Sequence, residues 1–436
     1  MPAWIDRALW WHVYPLGFLG AETQALPPDA PVAHRLPALI PWLDYAAELG
    51  ATGLALGPIF ASETHGYDTT DHLRIDPRLG DDADFDALVE ALKSRGLKLM
   101  LDGVFNHVGR GFPAFARVLA QGPEAPEAAW FRLRWPHGKQ AEPDYDCFEG
   151  HRQLVTLNHD APPVVEYVAG AMCHWLDRGA DAWRLDAAYA APRAFWAKTL
   201  AKLRQRHPDA YVMGEVIHGD YAGFVTETGA DSVTQYELWK AIWSALNDRN
   251  FFELAHALQR HDDFLKTFAP YTFVGNHDVT RLASRLNDRR HLPHALAVML
   301  TIGGTPSVYA GDEQGFEGIK EDRIGGDDAV RPAFPPSPAG LPPEGAPVFD
   351  LHKSLIALRQ AHPWLHRART QVHQLSNEAL VFEATAEGAS LLTALNLADQ
   401  PATLPAPQAA SVALGEAQLA NGQVTLPPHG WAILTP

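Results

Sequence analysis

Four short polar clusters each close an apolar, strand-like run, and they carry the residue types that break and make bonds. They are Asp102-Gly-Val-Phe-Asn106-His107, Trp183-Arg184-Leu185-Asp186, Gly214-Glu215 and Asn276-His277-Asp278. A carboxylate at such a place is costly unless it is paired or put to use. Side chains alternate along a strand, so Arg184 and Asp186 share a face, which sets a guanidinium beside the Asp186 carboxylate. Such a neighbour lowers a carboxylate pKa and fixes its orientation, as a nucleophile requires. Glu215 follows Tyr-Val-Met-Gly with no cation beside it in sequence. Desolvation there is expected to raise its pKa, which suits a general acid. Two carboxyls in environments pushed apart form the pair that glycosidic cleavage uses. Asp278 adds a third carboxylate, and His277 a donor for sugar hydroxyls.

These clusters need elements that bring them together. Apolar runs near 10–17, 53–58, 98–102, 182–186, 211–216, 232–236, 271–275 and 306–311 alternate with helical patterns such as 36–49, 84–94, 163–178 and 194–206. About eight strands in this rhythm predict an α/β chain folded as a closed (β/α)8 TIM barrel, whose strand C-terminal ends converge on one open face. Between 107 and 162 the rhythm breaks into loop sequence, an insertion after the third strand of the kind that is usually functional. The stretch 313–346, rich in Gly, Pro and Asp, reads as an elaborated loop over the barrel mouth. Short β-like runs after it predict a C-terminal antiparallel β-sandwich. The expected division is a catalytic barrel at 1–107 and 161–362, a short insertion at 108–160 and a β domain at 363–436.

Composition narrows the partner. Net charge is −17, which argues against nucleic acid and anionic membrane and leaves room for a neutral ligand such as a sugar. At 47% hydrophobic and 20% charged the chain is too apolar for disorder. Cys147 and Cys173 lack a metal-binding spacing and read as free thiols of a reducing compartment. The start Met-Pro-Ala-Trp-Ile-Asp-Arg shows no basic-then-apolar signal, and apolar stretches fall short of the ~20 residues that cross a bilayer. A cytoplasmic protein is expected, with no membrane partner and an oligomeric state that the sequence leaves open.

Taken in order, the clusters resemble the four short motifs of the α-amylase family of glycoside hydrolases, glycoside hydrolase family 13, the third being Gly214-Glu215-Val216 and the fourth Val274 to Asp278. Further matches are His65-Gly66-Tyr67-Asp68, and Gly304-Thr305-Pro306 with Gly311-Asp312-Glu313, so the likeness spans roughly the first 360 residues. The resemblance implies Asp186 as nucleophile, Glu215 as acid/base and Asp278 as transition-state stabiliser. It assigns Tyr67, His65, Asp68, Asp102, His107, Arg184 and His277 to substrate binding, with Tyr67 as a stacking platform. It implies a retaining mechanism through a covalent glycosyl-enzyme, with the Asp186 and Glu215 carboxyls about 5–5.5 Å apart. No cofactor is required. Asn106 matches a position that often binds calcium in the family, although the sequence identifies no further oxygen ligands. Departures are Thr64, where end-cleaving α-glucosidases carry Asp, and Tyr189 and Ala190, where many α-amylases carry Lys-His. Leu154-Val-Thr-Leu157-Asn158 resembles the fifth motif without its proline. The expected activity is hydrolysis of α-1,4-linked glucose oligosaccharides (maltooligosaccharides), with transglycosylation open. The alternative is an α-glucosidase, glucosyltransferase or isomerase of the same family, since those share every catalytic residue.

Overall fold

The computed structural model describes every residue except Met1, His137, Lys139, Gln140 and Ile324. Eight strands line the centre: β1 (Trp10–Val13), β2 (Gly53–Leu56), β3 (Lys98–Gly103), β4 (Ala182–Leu185), β5 (Tyr211–Gly214), β6 (Ser232–Val233), β7 (Tyr271–Phe273) and β8 (Thr305–Tyr309). They pair in the order β6-β5-β4-β3-β2-β1-β8-β7, every pair parallel. A parallel bridge between Thr234 and Tyr271 joins the two ends and closes the barrel. Alternation decides what faces where. Trp10, Ala55, Met100, Ala182, Tyr211, Met213, Tyr271 and Phe273 fill the interior. Their neighbours Trp11, Leu54, Leu99, Leu101, Trp183 and Val212 pack in the outer core with the helices. Arg184 lies two residues beyond the inward Ala182, so it too points inward, at the mouth.

The sixth strand is shorter than the 232–236 run predicts. The Gln235 side chain accepts from Leu238 N and caps a helix at Tyr236–Asn247, which turns Tyr236 from a strand residue into the first residue of that helix. In the insertion, His107–Gly109 pairs antiparallel with Leu154–Thr156, so the chain leaves and re-enters side by side. Between them lie a helix at Pro113–Gln121 and a small hairpin of Leu133–Arg134 with Asp144–Tyr145. The tail forms a five-stranded antiparallel sheet and a three-stranded one. On Ala379–Ala386, Leu380, Phe382 and Ala384 face the barrel core, while Val381 joins Leu404, Val424 and Leu426 between the two sheets. Among the described residues, no helix is long and apolar enough to cross a membrane.

Candidate active site

Strand register builds the centre of the site. Arg184 on β4 stands opposite Asp102 on β3 and Met213 on β5. Its Nη1 donates to both Asp102 oxygens at 2.7 Å and reaches Asp186 Oδ1 at 3.4 Å. Its Nη2 lies 3.0 Å from Glu215 Oε1. All four side chains are buried. This corrects the sequence reading, which paired Arg184 with Asp186 and left Glu215 without a cation. Adjacency along one strand sees only residue 186, whereas the register brings Asp102 and Glu215 in from both neighbouring strands. The pKa expectation for Asp186 is corrected as well. Burial, and then the Glu215 carboxylate, push the Asp186 carboxyl well up, and Arg184 only partly opposes them. Burial also raises Asp102 against the pull of Arg184. Two of the carboxyls around this guanidinium, Asp186 and Asp102, are thus pushed toward the protonated form.

Glu215 is held at both oxygens. Oε2 accepts from Ala187 N at 3.0 Å and Oε1 from the Tyr236 hydroxyl at 3.1 Å. Ala187 adopts φ 43°, a left-handed conformation costly for a residue with a Cβ, and it aims this amide at the carboxylate. Asn276 Nδ2 donates to the Tyr236 oxygen at 3.0 Å, and Asp278 N donates to Asn276 Oδ1 at 2.8 Å. A continuous chain of hydrogen bonds therefore links the ends of the fifth and seventh strands.

Asp278 sits in the opposite environment. His277 Nε2 lies 3.0 Å from its Oδ2, and Arg331 Nη2 donates to its Oδ1 at 2.7 Å. Burial alone would raise this carboxyl, but His277, Arg331 and Arg184 outweigh it and hold the group well below the usual range. The His277 ring is fixed between Tyr14 and Tyr67, nearly parallel to both at 5.8 and 5.6 Å. Arg331 Nε also donates to His277 O at 2.9 Å, and its guanidinium lies 4.6 Å from the Tyr14 ring centre. The divergent environments are thus Asp186 raised and Asp278 lowered.

A cavity of about 460 Å³ opens over these groups, lined by Tyr67, His107, Asp186, Glu215 and Asp278. Asp102, Arg184 and His277 do not line it but contact the lining residues Tyr67, Asp186 and Asp278. Tyr67 donates its hydroxyl to Asp102 Oδ2 at 3.1 Å and also contacts His277 Nε2. His107 Nε2 lies 3.0 Å from Tyr67 O, and its ring stacks on Phe148 at 4.7 Å. His65 and Asp68 do not line this cavity. Asp68 accepts from Thr64 N at 3.0 Å and from Thr64 Oγ1 at 2.5 Å, so it braces the loop that carries Tyr67. His65 Nδ1 accepts from Tyr67 N at 3.2 Å in the same loop. Gly66 lies at φ 91° against Pro58, where an added Cβ would come within 2.8 Å, so this turn needs glycine.

Several lining residues carry no sequence motif. Glu149 and Phe148 come from the insertion, Tyr189 and Ile217 from loops after the fourth and fifth strands, Trp239 from the helix that Tyr236 opens, and Lys320 from the mouth loop. Tyr189 donates its hydroxyl to Glu149 Oε1 at 2.9 Å, and Glu149 is held at φ 49°. Arg331 is equally invisible in sequence, although the Gly-, Pro- and Asp-rich stretch containing it reads as a mouth loop. Asn106 donates Nδ2 to His107 Nδ1 at 3.1 Å, while its Oδ1 is buried without a hydrogen-bond partner. That is one oxygen of the six to eight that calcium takes. No step of the chemistry below runs through calcium.

The family model described as "Alpha amylase, catalytic domain" matches residues 35–335. A cyclomaltodextrinase of Geobacillus thermopakistaniensis (strain MAS1) is 30% identical over 465 aligned positions, which cover 99% of this chain and 77% of that protein. An intracellular maltogenic amylase of Bacillus subtilis is 28% identical over 73% of this chain and 57% of its own length. Among solved structures, the Nostoc punctiforme debranching enzyme soaked with acarbose matches with TM-score 0.83 at 27% identity, over 100% of this chain and 99% of that one.

Proposed function

The chain belongs to the α-amylase family of glycoside hydrolases, and on that premise we propose that it cleaves α-1,4-linked glucose oligosaccharides with retention of configuration, with transfer to a second sugar as a side reaction. One observation carries the reading: Asp186, Glu215 and Asp278 meet at a single cavity of oligosaccharide-binding size. In this mechanism Asp186 attacks the anomeric carbon while Glu215 gives its proton to the departing glycosidic oxygen. The covalent glycosyl-enzyme is then opened by water, or by a sugar hydroxyl, whose proton returns to Glu215. Asp278, held ionised by His277 and Arg331, grips the hydroxyls of the ring as it flattens. Arg184 offsets the charge that Asp186 and Glu215 exchange during the two steps. Tyr67 and His107 supply the faces against which the sugar lies.

The names of the cyclomaltodextrinase and maltogenic amylase relatives support short α-glucans as substrates. A cytoplasmic location is part of the proposal, supported by the intracellular relative and by two free cysteines, Cys147 and Cys173. The test is a product profile on maltose through maltoheptaose and on cyclic maltodextrins, with the first-formed anomer read by NMR. Maltose or glucose released in the α form is expected. A β product overturns the retaining mechanism, and no product from any of these glucans overturns the substrate class.

A further inference from the structure

At the seam between the barrel and the C-terminal sheets, far from the chemistry just described, two imidazoles face each other. His291 closes the short helical turn Arg289–His291 before the barrel helix Leu292–Thr301, and His429 stands in the loop between strands Gln423–Leu426 and Trp431–Thr435. His291 Nε2 and His429 Nδ1 are 3.0 Å apart. One Asp288 carboxylate oxygen and one nitrogen from each ring all lie within 4.8 Å of one another. His429 is held at φ 51°, a conformation that a residue with a Cβ adopts only when its surroundings enforce it. Its second nitrogen, Nε2, lies 2.8 Å from Asp399 Oδ1.

From this geometry we propose that His291, His429 and Asp288 form a binding site for a divalent transition-metal ion of the zinc class, which staples the C-terminal sheets to the barrel. Two nitrogens bound tetrahedrally at 2.0–2.1 Å stand about 3.3 Å apart, so the rings need to part by only a few tenths of an ångström. The Asp399 carboxylate takes the hydrogen on His429 Nε2, which leaves Nδ1 as the lone pair that faces His291. A carboxylate behind a ligating imidazole in this way fixes its tautomer and strengthens it as a donor. The ion replaces the hydrogen now shared between the two rings. Arg290 fixes the Asp288 carboxylate, its backbone N and Nε donating to Oδ1 and its Nη2 to Oδ2, and these three donors leave the carboxylate a lone pair for the ion. His294, whose ring centre is 5.2 Å from that of His291, ties the seam through Asn396 O and Gly430 O and leaves its buried Nδ1 without a partner. Two imidazoles and a carboxylate suit zinc rather than calcium or magnesium, which take oxygen.

The test titrates the full chain, stripped of metal by a chelator, with Zn²⁺ by calorimetry, and repeats it with Co²⁺ to read the visible absorption of a tetrahedral ion. One Zn²⁺ per chain with a micromolar or tighter Kd is expected, with a Tm that rises on addition of the ion. His429→Gln should weaken binding at least tenfold, and the more exposed Asp399→Asn, which does not disturb the packing, should weaken it about tenfold. His34→Gln, in the separate exposed group with Asp81 and Asp84, should change neither number. No binding to the metal-free chain, binding unchanged in both His429→Gln and Asp399→Asn, or binding lost in His34→Gln would each overturn the proposal.

Discussion

Arg331→Gln tests the part of the site that no motif announces. Arg331 donates through Nη2 to Asp278 at 2.7 Å and through Nε to the His277 carbonyl at 2.9 Å, with its side chain 10% exposed. A hydrogen bond to a charged group contributes about 1.5–3 kcal/mol, and tenfold in rate is about 1.4 kcal/mol, so losing this support lowers kcat/KM roughly 10- to 150-fold. Glutamine removes the charge but keeps a donor, which limits collapse around Tyr14. Arg331 holds the Asp278 carboxyl down, so its removal lets that group rise, while the acid limb of the kcat/KM profile on maltoheptaose is set by the raised Asp186 carboxyl and stays in place. The stability consequence has a definite sign. A carboxyl depressed in the fold stabilises above its unfolded pKa and loses that contribution as pH falls through its folded value. The variant therefore has a lower urea midpoint at neutral pH, and the gap to the parent closes in strong acid. A kcat/KM within twofold of the parent together with an unchanged urea midpoint at neutral pH would refute the role given to Arg331.

Glu215→Gln can keep its oxygen on Ala187 N, with its NH2 donating to the Tyr236 oxygen in place of accepting from it, but it has no acidic proton to give, and it should lower kcat by several orders of magnitude with an unchanged circular dichroism spectrum; retained turnover sinks the acid/base assignment. Tyr236→Phe removes a hydroxyl that serves both Glu215 and Asn276, a loss of about 0.5–1.5 kcal/mol that should slow kcat roughly 2- to 13-fold. His72, His261, His294 and His352 are buried and pushed down to about 4. The unfolded chain binds their protons from about pH 6.5 downward while the folded chain does not, so stability is full above that pH and falls toward pH 4. Each group withholds about 2 kcal/mol at pH 5, and a urea midpoint equal at pH 5 and pH 7.5 would contradict this.

Much of the site was legible because its signals are local. Apolar runs of strand length, ended by Asp102, Asp186, Glu215 and Asp278, mark strand ends whatever lies far away in sequence. Alternation then predicts that Arg184 and Asp186 share a face. His65 and Asp68 belong to a motif, yet they turn into their own loop, and the partner that takes up Asp68 is Thr64, one of the departures from the family pattern. Tyr236 was read as a strand residue because its neighbours are apolar. A side-chain cap from Gln235 starts the helix instead and aims the phenol at Glu215.

The sequence by itself marked the carboxyls at the strand ends as the candidates for the bond chemistry and determined that a barrel of alternating strands and helices carries them, because both rest on short-range pattern. Only the tertiary structure decided how charge is distributed among those groups. Register across three strands set Arg184 against Asp102, Glu215 and Asp186 together, and this reversed the pKa expected for Asp186. Loop closure brought Arg331 to Asp278 and Glu149 to Tyr189 from positions more than 30 residues away in sequence. Electrostatic interaction depends on distance through space and on burial, and neither is a function of separation along the chain.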